Sequence, residues 1–440
     1  MHLCSSMHTN RRELDLVPVT LLPPPTPATW KAETFCDTFI EHPFQKPVPV
    51  CDSVMLANHS VSCFRTPRSN VMATCTIHDL AVHPKKLRSA MSNCNTCDIH
   101  RTMSVWLLES NETQCPVPTM ANLLKATEHV DYMQNFVHEV ISSEEKPPSA
   151  CERWVNKTAY FFMVSQPHHI YFRFLVYYNV HKSLIDNSAV DEDSVIIRIS
   201  DSNDYKFEDF ERALFPGMLT LKNFSNSIVC FRKVVLVPWA YACVLFRCRI
   251  EDSLRYDCLK CDGTDLFGTS FMSFRTRVLK ACSLKDSERI SSAKQLVVVS
   301  RKPYARYRGD SQFRFQRVLT NEDELILSLN SSFPSLQLTV LHMESLPICS
   351  QIHYAHEADI LVGVHGAGLS HLWWLRDEAF IFELVPKFKL DTPTLKILAN
   401  LAGRRHHGIT ISGDKQRVTA NLTEVIERLK NVSDFDLTMP

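Results

Sequence analysis

Ala358-Asp359-Ile360-Leu361-Val362-Gly363-Val364-His365-Gly366-Ala367-Gly368-Leu369-Ser370-His371 is the stretch on which the fold turns. Its first half is a compact aliphatic run, of a length that suits a strand covered on both faces. The pattern predicts a strand over 359–365, a turn through Gly366-Ala367-Gly368 and a helix from near Leu369. Glycines let backbone N–H groups come close to a phosphate, and a following helix offers unpaired amides and the positive end of its dipole. The same spacing also suits a tight packing turn that holds no ligand. It is neither G-x-G-x-x-G nor a loop ending in Gly-Lys-Ser/Thr, which argues against NAD and ATP.

Outward from this stretch, strands and helices alternate. Strands are predicted at 296–300, 336–341, 379–385 and 408–412, and helices at 321–329 and 394–401. Asn421 and Glu424 have capping-box spacing ahead of a helix reaching about Lys430. Ser345 is placed to cap a helix with Pro347 in its first turn. Such alternation needs crossovers, so residues 294–440 read as an α/β domain on a mostly parallel sheet whose strand C-termini share one edge. Upstream, 159–165, 194–199 and 229–237 read as strands and 171–184 as a packed helix, giving a first α/β domain over 151–293. Residues 1–150, with scattered cysteines and prolines, form a separate N-terminal region.

Composition narrows the function. The 440 residues are 45% hydrophobic, enough for two or three globular domains. Forty-eight basic and forty-eight acidic residues cancel, leaving no overall field for nucleic acid or an anionic membrane. Any phosphate must be held locally. Sixteen cysteines include Cys94-x2-Cys97 and Cys258-x2-Cys261, compatible with disulfides, free thiols or a zinc site. Sequons at Asn58, Asn111, Asn156, Asn223, Asn330, Asn421 and Asn431 slightly exceed the roughly four or five that chance supplies, so they lean with the cysteines toward a secretory compartment. A lumenal protein needs a targeting signal, yet residues 1–10 lack an apolar core and the run at 16–22 ends in Pro23-Pro24-Pro25.

Several side chains carry candidate chemistry. Arg301, in Ser300-Arg301-Lys302 after a strand, and Arg317 could place forked positive charge around a diphosphate, whereas Arg306, Arg308 and Arg314 suit a solvated basic loop. Glu383, within an apolar strand, could accept from a sugar or ribose hydroxyl or simply face solvent. His168 and His169 follow a first-domain strand, where an imidazole could take a proton from an attacking alcohol or serve only as a surface group.

Together these residues resemble glycosyltransferase family 61. The resemblance rests on the 358–371 stretch and its continuation Ala379-Phe380-Ile381-Phe382-Glu383-Leu384, with weaker support from Cys230-Phe231-Arg232, Val298-Val299-Ser300-Arg301, Arg317-Val318-Leu319 and His168-His169. It covers about residues 155–405. It implies a GT-B-like pair of Rossmann-like lobes with an additional N-terminal region, and inverting transfer of N-acetylglucosamine from UDP-GlcNAc to Ser/Thr hydroxyls of extracellular, EGF-like protein domains. Xylosyl transfer, another N-acetylglucosaminyl transfer, or a catalytically silent binding protein are the alternatives. The resemblance assigns His169 as catalytic base and places UDP on Arg301, Arg317, His365, Gly366, Ala367, Gly368, Leu369 and Glu383, with no cofactor and no essential metal. It implies the lumen of the endoplasmic reticulum or Golgi.

The chain departs from the family pattern twice. Arg173 stands where an acidic residue is expected, and Arg can be neither acid nor base at ordinary pH. Trp373-Trp374-Leu375-Arg376 replaces a smaller apolar run, either filling a core or reshaping the acceptor side of the cleft.

Overall fold

The structure is a computed structural model that describes residues 48–49, 61–65, 73–92, 105–107, 136, 150–164, 169–186, 194–200, 207–224, 226–238, 266–286, 292–302, 305–308, 311–314, 317–390 and 394–433. His168, the two Cys-x2-Cys pairs, Asn58 and Asn111 lie outside them. Among the described residues no helix is long and apolar enough to cross a membrane.

The first sheet contains β1 (Val48–Pro49), β2 (Val61–Arg65), β3 (Ala73–Val82), β4 (Val105–Leu107), β5 (Arg153–Phe162), β6 (Ser194–Arg198), β7 (Leu219–Thr220) and β8 (Val229–Leu236). Its order is β1-β2-β3-β8-β5-β6-β7, with β4 on β3. β8, β5, β6 and β7 run parallel, and β1 to β4 extend them antiparallel. Strands from well before residue 150 are thus hydrogen-bonded into the sheet that contains β5. The second sheet contains β9 (Gln295–Val299), β12 (Val318–Leu319), β13 (Gln337–Leu341), β14 (Ile360–Val364), β15 (Phe380–Pro386), β16 (Arg405–Gly413) and β17 (Arg417–Thr419), in the order β12-β17-β16-β15-β14-β9-β13. It is parallel except for the β16–β17 pair. The arginines at 306, 308 and 314 fall on a separate hairpin, β10 (Ala305–Arg308) and β11 (Ser311–Arg314).

The order of connection locates two crevices. From β9 the chain reaches β13 on one side, then returns across β9 to β14 on the other. Helices following β9 and β14 are thereby drawn to opposite sides, leaving a gap outside the strands' carboxyl ends. The first sheet repeats the device, because β5 leads to β6 and β7 on one side before β8 closes on the other.

Helices fill the space between and outside the sheets. They are α1 (Pro84–Ser92), α2 (Ile170–Asp186), α3 (Glu208–Leu214), α4 (Leu266–Ala281), α5 (Glu322–Ser332), α6 (Ile348–Glu357), α7 (Thr394–Leu401) and α8 (Leu422–Ser433). Strand side chains alternate between two faces. Tyr160 and Phe162 of β5 and Val297 and Val299 of β9 join one continuous core with α2, α4, α6 and α7. Phe161 packs on the opposite face of the first sheet, and Leu296 and Val298 join α5 and α8 on the opposite face of the second. α2 is apolar around most of its circumference, as its place inside the shared core requires.

The strands and helices expected between 159 and 430 have counterparts, with two differences. Ser345 does not cap α6, because it ends a 3-10 turn and its Oγ donates back to His342 O at 2.8 Å. The element after Gly366 is a 3-10 helix, Ala367–Trp374, whose Ser370 Oγ donates to Ala367 O at 2.6 Å. At α8, Asn421 Oδ1 does accept from Glu424 N, at 3.3 Å.

Among the described residues, disulfides tie distant segments, Cys151 to Cys230 between the start of β5 and β8, and Cys282 to Cys349 between the end of α4 and α6. Arg173 is also a structural element. Its side chain is fully buried, pairs with Glu211 at 2.8 Å, reaches Tyr177 Oη at 3.0 Å and lies 3.9 Å from the Phe207 ring centre. Arg198 pairs with the other oxygen of Glu211. One fully buried carboxylate thus bridges two guanidiniums. Glu211→Ala is expected to lower the unfolding free energy by about 3–5 kcal/mol, because it strands buried charge. Chemical denaturation measures it, and an effect near that of an exposed-site substitution would contradict the assignment.

Candidate functional site

The crevice of the second sheet opens where β9 and β14 end. Ser300 and Arg301 follow the first strand, and His365 and Gly366 follow the second. Arg301 Nη1 donates to His365 O at 3.1 Å, and Arg317 Nη1 donates to the same oxygen at 2.7 Å. Ser300 Oγ instead donates to Glu322 Oε1 at 2.6 Å, and that carboxylate also takes Lys302 Nζ at 3.2 Å. Lys302 is therefore compensated locally, while Arg301 is directed at the turn.

The glycines have separate tasks. Gly366 is extended, at φ 165°, so its backbone does not demand glycine. Space does, because a Cβ there would lie 1.8 Å from Arg301 Nη1. A Cβ on Gly368 would lie 2.9 Å from Val299 Cγ1, so this residue lets the 3-10 helix settle on β9. Leu369 is fully buried, and its N–H is already given to Gly366 O at 3.0 Å. It supports the turn from beneath, a different position from the ligand contact that resemblance assigns. Arg317 holds φ at 73°, a left-handed conformation that costs a non-glycine residue about 1–3 kcal/mol. That strain directs its guanidinium back to β14.

Glu383 sits one strand further along, with Gly363 of β14 and Gly408 of β16 directly opposite it. Two neighbours without side chains leave room for its carboxylate to reach diagonally. Oε1 accepts from His365 Nδ1 and Oε2 from His406 Nε2, the latter at 2.7 Å. Burial pushes the carboxyl pKa up, but hydrogen bonds from the two histidines and their charge outweigh it and hold the pKa below the ordinary 4.5. Both oxygens are engaged by imidazoles, so Glu383 is committed within the protein and not turned to solvent. Lys389, just past β15, adds positive potential. Burial and the charges of Arg317 and Lys415 push its pKa down.

At the first sheet, His169 lies between β5 and α2 at that sheet's crevice. Its carbonyl accepts the Arg173 N–H at 3.1 Å, and its ring centre is 4.5 Å from that of Phe172. Arg173 itself points into the core, away from any role in the crevice. α2 connects the two crevices mechanically, since Phe174 packs on His371 and Trp374 of the 3-10 helix, with ring centres 5.7 and 4.9 Å apart. Trp373 and Trp374 are fully buried and their carbonyls accept from Arg275, so they fill the shared core and do not line an acceptor face. His371 is enclosed with them, bonded to Gln351 Oε1, and burial pushes its pKa down to about 3.

Arg301, Arg317, His365 and Gly366 are brought together, with Gly368 and Glu383 behind them. No described contact joins His169 to this group directly. Sequence reading missed His406 and Lys389. His406 left one usable signal, a histidine pair opening a strand near another strand's buried glutamate, but only the β15–β16 register aligns them. Among the described residues, no group of three or more His, Cys, Asp or Glu side chains is arranged to hold a metal ion.

Residues 133–382 match the family model described as Glycosyltransferase 61. The chain is 27% identical over 283 residues to EGF domain-specific O-linked N-acetylglucosamine transferase of Drosophila melanogaster, covering 62% of this chain and 49% of that protein. It is 26% identical over 245 residues to the Xenopus laevis protein of the same name, covering 53% and 42%. Against beta-1,2-xylosyltransferase of Arabidopsis thaliana it is 23% identical over 258 residues, covering 52% and 47%. The chain spans about half the length or less of these relatives.

The depressed pKa of Glu383 makes a signed prediction. A carboxyl held below its unfolded value stabilises the fold above that value, and the contribution is lost as pH falls through the folded value. Wild type should therefore exceed Glu383→Gln in stability by the largest margin above about pH 4.5, and the margin should shrink at lower pH. Denaturation curves across that range check it; a margin that grows on acidification would contradict the two-histidine environment.

Proposed function

As the chain belongs to glycosyltransferase family 61, we propose that it is an inverting glycosyltransferase of two GT-B-like lobes, moving N-acetylglucosamine from UDP-GlcNAc to Ser/Thr hydroxyls of extracellular, EGF-like protein domains. The observation that carries the donor half is the convergence of Arg301 and Arg317 on His365 O at a topological switch point. The fly and frog relatives, which are EGF domain-specific O-linked N-acetylglucosamine transferases, support the sugar and acceptor. Xylose is the second reading, supported by the Arabidopsis relative.

In this mechanism UDP lies along the carboxyl ends of β9 and β14. Arg301 and Arg317 face the diphosphate, where their fixed charge opposes the negative charge that grows as UDP departs. The acceptor hydroxyl approaches C1 from the opposite side, and His169 receives its proton as the new bond forms. Burial of Arg173 against Glu211 takes it out of this scheme, so the reading does not depend on an acid at that position.

Calorimetry should detect UDP binding in preference to ATP or NAD. Arg301→Ala should weaken UDP and slow turnover. Gly366→Ala should do likewise with the fold intact, because its new methyl displaces a flexible guanidinium end and not backbone. His169→Ala should keep UDP affinity and lose roughly 10² to 10⁴ in kcat, the range for a lost general base. A transfer assay with UDP-GlcNAc and UDP-xylose on an EGF-like acceptor separates the two sugars. Undiminished turnover in His169→Ala, with transfer established for wild type, would reject that residue as the base.

The proposed compartment is the lumen of the endoplasmic reticulum or Golgi, supported by the Cys151–Cys230 and Cys282–Cys349 disulfides and by the exposed sequon residues Asn156 and Asn330. Peptide mass spectrometry of the native product should find both disulfides and glycan on at least one sequon. Reduced thiols and bare asparagines throughout would overturn the compartment.

A further inference from the structure

The buried chain His365–Glu383–His406 has a chemical asymmetry that bears on the donor. A carboxylate only accepts hydrogen bonds, so both nitrogens that touch it must carry protons. Glu383 therefore fixes Nδ1 of His365 as N–H and Nε2 of His406 as N–H. With Nδ1 committed, Nε2 is the His365 nitrogen left for a ligand, at the end of β14 beside the arginines that grip its carbonyl. Glu383 and His406 occupy the strand side of this chain, 4% exposed and intermediate respectively, behind a His365 that is itself 8% exposed. Glu383 lies one residue beyond the family match and His406 lies 24 beyond it, so the relay extends past the segment by which the family is recognised.

We propose that His365 directs Nε2 at the donor diphosphate, and that Glu383 and His406 are positioning residues that set the imidazole for this contact. The assignment rests on the UDP-sugar reading. During transfer the bond between C1 and the phosphate oxygen breaks and its electron pair stays on that oxygen, while the acceptor oxygen bonds C1 and gives its proton to His169. A proton carried on Nε2 is donated as a hydrogen bond to the departing diphosphate, and that bond strengthens as charge accumulates there. No net proton passes through His365. The carboxylate behind it holds Nδ1–H and prevents the ring from turning. His406 supplies the second donor that Glu383 requires inside the protein; without it a buried carboxylate oxygen is left without that bond.

The test uses the full chain, with UDP as probe. His406→Leu removes the donor to Glu383, whereas His406→Gln places an amide N–H at about the same reach. Expected are an intact circular-dichroism spectrum, UDP affinity at least tenfold weaker in the Leu variant, and recovery to within about threefold of wild type in the Gln variant. A merely structural role would not be rescued in this pattern. If the Leu variant fails to fold, Glu383→Gln serves instead. Its amide can accept from one imidazole only and must donate to the other, so one of the two histidines has to change tautomer. Nitrogen-15 NMR of histidine-labelled protein reads this directly, with Nδ1–H on His365 in wild type and an altered signal from His365 or His406 in the variant. Wild-type UDP binding with an unaffected His406→Leu overturns the relay alone. A wild type that binds no UDP overturns the donor reading and the role given to Nε2. A wild-type His365 whose Nδ1 carries no proton overturns the relay whatever the ligand.

Discussion

Parallel strands can be joined only by a crossover over the face of their sheet, and β9 receives neighbours on both of its sides from connections that leave in opposite directions. The gap this leaves at the carboxyl ends of β9 and β14 is a consequence of connectivity and not of any one side chain. Everything at the candidate site is arranged around it. Arg301 enters from the end of β9, the His365 carbonyl from the end of β14, and Gly366 omits the side chain that would occupy the guanidinium's place. Arg317 arrives through a strained backbone from outside both strands.

The same economy of side chains places Glu383. A buried carboxylate is costly unless its hydrogen bonds are supplied, and the glycines opposite it on both neighbouring strands let two diagonal histidines supply them. Beside the first sheet the corresponding problem is solved by charge. Glu211 bridges Arg173 and Arg198, and the aromatic helix α2 carries this cluster into a core that continues to the second sheet through Phe174 and the two tryptophans. Arg275 of α4 completes that junction by donating to the carbonyls at the end of the 3-10 helix.

What the sequence disclosed follows from how local each signal is. Aliphatic runs such as Ile360–Val364 and Phe380–Pro386 are covered on both faces, so their strand character is written in consecutive residues. The turn at Gly366 and the arginine after β9 are fixed by position relative to such runs, and both were legible. Partners brought together by register or by tertiary packing were not. His406 meets Glu383 across 23 residues and Glu211 meets Arg173 across 38, with no periodic pattern linking either pair. α4 was missed because its polar residues include Arg275, which donates to backbone carbonyls about a hundred residues away as well as pairing with Asp286. Ser345 misled because a hydroxyl before Pro347 suits a cap that accepts from backbone N–H groups, yet it donates back to His342 O in the 3-10 turn.

The central claim is that a diphosphate belongs at the carboxyl ends of β9 and β14, held by groups that also hold the His365 backbone. A crystal structure of the full chain with UDP tests this most directly. Phosphate oxygens are expected within hydrogen-bond distance of both the Arg301 and Arg317 guanidiniums, with Gly366 beneath them. Nucleotide bound elsewhere, with the two arginines still closed on the His365 carbonyl and away from any phosphate, would contradict it.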